Sequence, residues 1–125
     1  MIKGIGTDIV EIARIVSILH RQNDRFVSRI LTDNEQRKYS DSQRETTFLA
    51  KRFAAKEAVA KALGTGIGNG VSFQDIEITH DDRGAPLVVL SGGAQAVMLD
   101  KGASNVFVSI SDETNYAIAY AVITA

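Results

Sequence analysis

Nothing in residues 44–63 breaks a helix. The run holds neither glycine nor proline, and Ala50, Ala54, Ala55, Ala58, Ala60 and Ala62 are strong helix formers. Gly64 follows where a left-handed C-terminal cap is expected, and Gly66, Gly68 and Gly70 continue a loop expected to be rich in free backbone N–H groups. A helix of this length organises a small domain, because the rest of the chain must pack against it. Along it Phe53, Glu57 and Lys61 recur every four residues and share a face, with Arg52 and Lys56 as a neighbouring row. An acid set among cations beside a glycine loop is a place to hold an anion through a metal. The plainer alternative is an ion pair between Glu57 and Lys61 worth about 0.3–0.5 kcal/mol, with Phe53 as ordinary core.

The remaining segments fall into order around that helix. Residues 2–12 read as a mostly buried strand, since Ile2, Ile5, Ile9, Val10 and Ile12 are β-branched. Gly4 and Gly6 mark a bulge or a close backbone approach. Asp8 is a carboxylate in this apolar run and must be paired, cap a helix or bind a cation. From Glu11 the pattern is helical: Ile12, Ile15, Val16 and Leu19 share a face, with Arg14, Arg21 and Arg25 on more exposed positions. Asp24 is placed to cap a second short helix carrying Phe26, Val27, Ile30 and Leu31. Thr32 and Glu35 have capping-box spacing, which starts a third helix over 33–40, and Ser40, Asp41 and Ser42 form a polar break.

After the glycine loop the period changes to two. Val71, Phe73, Ile76 and Ile78 suggest strands, residues 81–84 a hairpin turn, and 87–90 the returning strand. A short helix over 92–101 turns Ala94, Val97 and Met98 inward. Two alternating strands, 106–111 and 116–123, close the chain and are expected at the centre of a sheet.

Composition narrows the chemistry. At 125 residues the chain is expected to form one domain, 1–125. It has no cysteine and only His20 and His80, so any metal would be a hard cation held by oxygen. No run approaches the roughly 18 apolar residues of a membrane span and no apolar leader opens the chain, so a cytoplasmic protein off the membrane is expected. Residues 1–63 carry 12 Lys and Arg against 8 Asp and Glu, whereas residues 64–125 carry 2 against 7. That asymmetry suits an acidic partner, either a phosphate-rich ligand or an acidic protein surface, or else a surface whose charges average out over the fold. Nucleic acid fits poorly, because only 6% of residues are aromatic and none is tryptophan.

Familiar phosphate loops do not match. No lysine follows the glycines as a P-loop requires, the dinucleotide-binding spacing is absent, and this loop follows a helix where those motifs precede one. No Ser-His-Asp or Cys-His arrangement points to covalent catalysis. Asp8 and Glu57 with Lys61 are the groups phosphoryl transfer uses: a metal to neutralise a pyrophosphate and a cation for the developing charge.

Two separated motifs carry a resemblance. Residues 4–12, Gly-Ile-Gly-Thr-Asp-Ile-Val-Glu-Ile, are followed by residues 53–66, Phe-Ala-Ala-Lys-Glu-Ala-Val-Ala-Lys-Ala-Leu-Gly-Thr-Gly. With Ile30-Leu31-Thr32, Glu35, Gly84-Ala85-Pro86 and Val108 to Asp112, they make the whole chain similar to the small bacterial 4′-phosphopantetheinyl transferases, the holo-(acyl-carrier-protein) synthases. The resemblance implies an α+β fold with the long helix packed on a mainly antiparallel sheet. It implies transfer of the phosphopantetheine arm of coenzyme A to a serine of apo-acyl carrier protein, releasing 3′,5′-ADP, in fatty acid biosynthesis.

On the same resemblance Asp8 and Glu57 hold Mg²⁺ at the coenzyme A pyrophosphate, and Lys61 sits beside the phosphates. Arg52, Phe53, Gly64, Thr65, Gly66, Ile67 and Pro86 border the nucleotide. Arg14, Arg21 and Arg25 are candidates for docking the acidic carrier, although an exposed arginine face is also an ordinary solvated surface. Family members are similar in being homotrimers with the site between subunits. Many have histidine where this chain has Asp112, so the base that takes the serine proton stays open between a water on the metal, Glu57 and Asp112.

Overall fold

The computed structural model describes residues 1–40 and 45–125; Asp41 and Ser42 of the expected polar break, and Arg44 at the expected start of the long helix, lie outside the described residues. The chain runs β1 (Ile2–Glu11), α1 (Ile12–Gln22), α2 (Asp24–Ile30), α3 (Asp33–Ser40) and α4 (Glu45–Ala62). It continues through a 3-10 turn (Phe73–Asp75), β2 (Ile76–His80), β3 (Pro86–Leu90), α5 (Gly92–Asp100), β4 (Asn105–Asp112) and β5 (Tyr116–Thr124). One antiparallel sheet has the order β1-β5-β4, and β2 and β3 form a separate antiparallel hairpin. Helices pack on these antiparallel sheets, so the fold is α+β as expected.

Helix α4 is the centre. Its alanines at 50, 54, 55, 58 and 60 have no exposure, and Ala117, Ala119 and Ala121 of β5 are equally hidden. Small residues on both sides let backbones approach closely. A Cβ on Gly6 would stand 2.1 Å from the Ala58 carbonyl oxygen, and one on Gly4 would stand 2.0 Å from that of Ala62. The close approach anticipated at these glycines is therefore real, and the strand register also shifts between Ile2 and Gly4. Gly6→Val should cost about 1–3 kcal/mol or more of stability, because the methyls meet helix backbone that has no room to yield. A urea midpoint equal to that of the parent protein would contradict this packing.

Several boundaries follow from local chemistry. Helix α3 begins with a working capping box: the Thr32 N–H donates to Glu35 Oε1 at 2.9 Å and the Glu35 N–H to Thr32 Oγ1 at 3.3 Å. Gly64 takes φ of 86° just past α4, the left-handed cap expected of it. Helix α2 is entered differently from the expectation. Asn23, with φ of 48°, occupies the cap position, and Asp24 is the first helical residue, where its charge favours the helix dipole.

Three expectations need correction. Strand β1 is not mostly buried: Gly6 and Val10 face α4, whereas Ile5 and Ile9 are 56% and 61% exposed on the opposite face. Apolar residues on both faces hid that alternation. Val71 and Phe73 do not belong to a strand; Val71 forms a single bridge with Gly68, and Phe73 opens the 3-10 turn. Of the last two strands only β5 is central, and β4 lies at the sheet edge.

Candidate active site

Strand periodicity decides where Asp8 points. Gly4, Gly6, Asp8 and Val10 alternate toward α4, and Gly6 sits against Ala58 and Lys61. Asp8 thereby arrives beside the last turns of α4. The Lys61 ammonium reaches across to donate to the Thr7 carbonyl at 2.9 Å and to Asp8 Oδ1 at 3.1 Å. Lys61 therefore bridges helix to strand; it forms no ion pair with Glu57 among the described residues.

Glu57, one turn earlier on the same face, is half-buried. Its pKa is raised, first by burial and then by the negative charge of Asp8, against the opposing pull of Lys61, Arg14 and Arg29. The folded protein thus holds the Glu57 proton more tightly than the unfolded chain does. This group costs no stability below the ordinary glutamate value and its full cost above the raised one, so its contribution worsens as pH rises through that window. Asp8→Asn removes one of the two causes. The titration of the Glu57 carboxyl, followed by carbon NMR, should move to lower pH in that variant; an unmoved titration would separate the two carboxylates.

Glu57 also lines a cleft of about 320 Å³ between α1, α2, α4 and the 3-10 turn. Its walls include Arg14 and Arg21 from α1, Phe26 and Arg29 from α2, Phe53 from α4, and Ile67 and Phe73. Phe53 is core and cleft at once, with ring centroids 6.2 Å from Phe26 and 5.5 Å from Phe73. Arg25 is exposed on α2 and does not line the cleft. Arg29 does, with its guanidinium 5.7 Å from the Phe73 ring centre. Nothing local in the sequence sets Arg29 apart from the other exposed arginines; the packing of α2 against α1 brings it to the cleft.

The second row on α4 does not belong to this site. Arg52 is 4% exposed and donates to Glu35 at 3.1 Å and to the Ile78 carbonyl, with its guanidinium 4.5 Å from the Phe48 ring centre. One residue is about 100° of helix, enough to turn Arg52 into the core while Phe53 meets the cleft. The expectation that Arg52 borders a nucleotide is therefore replaced by a structural role. Lys56 is likewise fully buried.

The glycine loop is also less open than expected. The amides of Thr65 and Gly66 both donate to the Ala60 carbonyl, that of Gly64 to Lys61, and that of Gly68 to Val71. These N–H groups close the helix end and the turn and are not free to cradle a phosphate. Ile67 from this loop reaches the cleft, and the Lys101 ammonium lies 3.6 Å from where a Cβ on Gly64 would stand. Pro86 pairs with His80 at the start of β3 and is not part of the cleft lining. Asp112 ends β4 with its carboxylate 3.5 Å from the Lys51 ammonium.

As a metal site the arrangement offers two carboxylates. No group of three or more Asp, Glu, His or Cys side chains suited to a metal occurs among the described residues. Asp8 and Glu57 suit Mg²⁺ in its usual setting of one or two carboxylates completed by substrate phosphate and water. The effect of Asp8 on Glu57 adds an electrostatic reason: two like charges placed together are relieved by a cation.

Sequence and fold match one class of enzyme. Residues 4–121 match the family described as the 4′-phosphopantetheinyl transferase superfamily. A holo-[acyl-carrier-protein] synthase from Shewanella amazonensis is 57% identical over 96% of each chain. The crystal structure of the synthase from Neisseria meningitidis superposes with a TM-score of 0.94 at 42% identity, covering 100% of both chains. That from Bacillus anthracis, in complex with CoA (3′,5′-ADP), gives 0.83 at 44% identity over 100% of this chain and 99% of the other. The chain belongs to this superfamily and, within it, to the holo-[acyl-carrier-protein] synthases.

Proposed function

We propose that the chain transfers the 4′-phosphopantetheine group of coenzyme A to a serine of an apo-acyl carrier protein, with Mg²⁺, releasing 3′,5′-ADP. The observation that carries this reading is a shared rim: Glu57 belongs both to the carboxylate pair with Asp8 and to the arginine-lined cleft. A phosphate site and a dock for an acidic protein thus meet at one residue. Bound between Asp8 and Glu57, Mg²⁺ would supply charge neutralisation at the coenzyme A pyrophosphate.

The chain's own groups do the rest. Lys61, 49% exposed at its side chain, keeps its ammonium at the carboxylate pair, where it stabilises charge developing on the transferred phosphoryl group. Arg14, Arg21 and Arg29 steer and orient the acidic carrier, with Arg25 adding to the field from outside the cleft. Phe53 and Ile67 give the carrier an apolar seat, and Thr65, Gly64, Gly66 and Pro86 border the nucleotide. The serine oxygen forms a bond to the phosphorus of the arm as the bridging bond to 3′,5′-ADP breaks, and the serine proton leaves to a base.

The outer face of the β1-β5-β4 sheet supports a homotrimer with the site between subunits. Ile5, Ile9, Phe107, Ile118 and Tyr120 stand between 43% and 61% exposed there, an apolar patch of the kind that marks a protein interface. Fatty acid biosynthesis in the cytoplasm is the setting the family resemblance implies. Incubation with coenzyme A, Mg²⁺ and apo-carrier protein should add one phosphopantetheine mass to the carrier with an equal amount of 3′,5′-ADP. No mass gain on any of a panel of carriers would remove the proposal.

A further inference from the structure

Beneath the cleft lies a charged cluster that the transfer chemistry leaves unused. Lys56 has no exposure, yet its ammonium donates to Glu35 at 2.6 Å, to the Phe73 carbonyl at 3.1 Å and to the Ile30 carbonyl at 2.5 Å. These acceptors come from three elements: the first turn of α3, the 3-10 turn, and the last residue of α2. Ile30 and Phe73 also line the cleft, as does Glu57, the residue after Lys56. One ammonium thus joins both walls of the cleft to the helix that carries the carboxylate.

Stability alone does not account for a lysine here. Burial works against its charge, and a packed apolar side chain usually serves a core position as well or better. What an apolar side chain cannot do is hold three oxygens from separate elements in a fixed mutual arrangement. The Ile30 carbonyl, at a helix end, has no next turn of helix to satisfy it.

We propose that Lys56 is a positioning residue: its ammonium sets the spacing between the cleft walls and Glu57, and so how the carrier protein seats its serine. This rests on the reading of the cleft as the carrier dock. Lys56→Met is the informative variant, because Glu35 keeps its partner Arg52 at 3.1 Å and no buried charge is left alone. Steady-state kinetics with carrier and coenzyme A varied separately should show the carrier KM raised about fivefold or more, with the coenzyme A KM within about twofold and the circular dichroism unchanged. Lys56→Gln, which retains N–H donors, should recover part of the carrier KM.

A merely structural role lowers the active fraction, seen as a fall in kcat with both KM values unchanged. That result, unchanged kinetics, or equal rises in both KM values would each overturn the proposal. So would failure of both variants to fold, which would make Lys56 a requirement of the fold itself. An inactive parent enzyme would instead refute the transfer reaction, which keeps the two failures distinct.

Discussion

Glu35→Ala should cost the fold about 3–5 kcal/mol, the range for removing one partner from a buried charged cluster. Glu35 is 1% exposed and accepts from Lys56 at 2.6 Å, Arg52 at 3.1 Å, the Thr32 amide at 2.9 Å and the Ile78 amide at 3.1 Å. The substitution leaves two cations in the core without their carboxylate and frees two amides at once. Burial already lowers the pKa of Lys56, and losing Glu35 removes the largest effect that opposes it. The variant should regain stability as pH rises, since the unfolded chain then binds more protons at Lys56 than the folded one does. Urea denaturation across alkaline pH checks both statements; a loss below about 1 kcal/mol, the size of an ordinary hydrogen bond, would contradict the first.

Glu57→Gln and Asp8→Asn should each keep the fold and lower the transfer rate on the order of a hundredfold to a thousandfold, as for removal of one electrostatic contact to a reacting centre. Both substitutions preserve shape. Glu57→Gln also removes a carboxylate whose charged form burial and Asp8 disfavour, so the metal-free variant should be no less stable than the parent. Loss of activity with retained or raised stability is the signature of a group kept for function. Thermal unfolding and carrier modification, measured on the same preparations, test this, and a variant that keeps the parent rate removes that residue from the site.

Part of the fold and of the candidate site was legible in the sequence, and the reasons differ by element. Helix α3 spans the residues its capping box indicated, because Thr32 and Glu35 are a local signal that needs no tertiary context. Asp8 stood out because a carboxylate in an apolar strand demands a partner, and Lys61 is one. Arg52 was misplaced because adjacent helix positions look alike in sequence yet differ by about 100° in space. Glu35 was read only as a cap, since nothing local shows that its other oxygen serves Arg52 and Ile78. The glycine loop kept its left-handed turns but not its free amides, because hydrogen bonds back to Ala60 are set by how the chain leaves α4. Arg29 became visible only when α2 folded beside α1.

The cation-dependent phosphate site between β1 and α4 is the centre of the functional proposal, and coenzyme A binding measures it without turnover. Calorimetric titration of the parent protein and of Glu57→Gln, each with and without Mg²⁺, separates the contributions. Mg²⁺ should tighten coenzyme A binding to the parent protein and leave Glu57→Gln nearly unaffected. Equal tightening in both would show that the cation binds elsewhere and that Asp8 and Glu57 do not form its site.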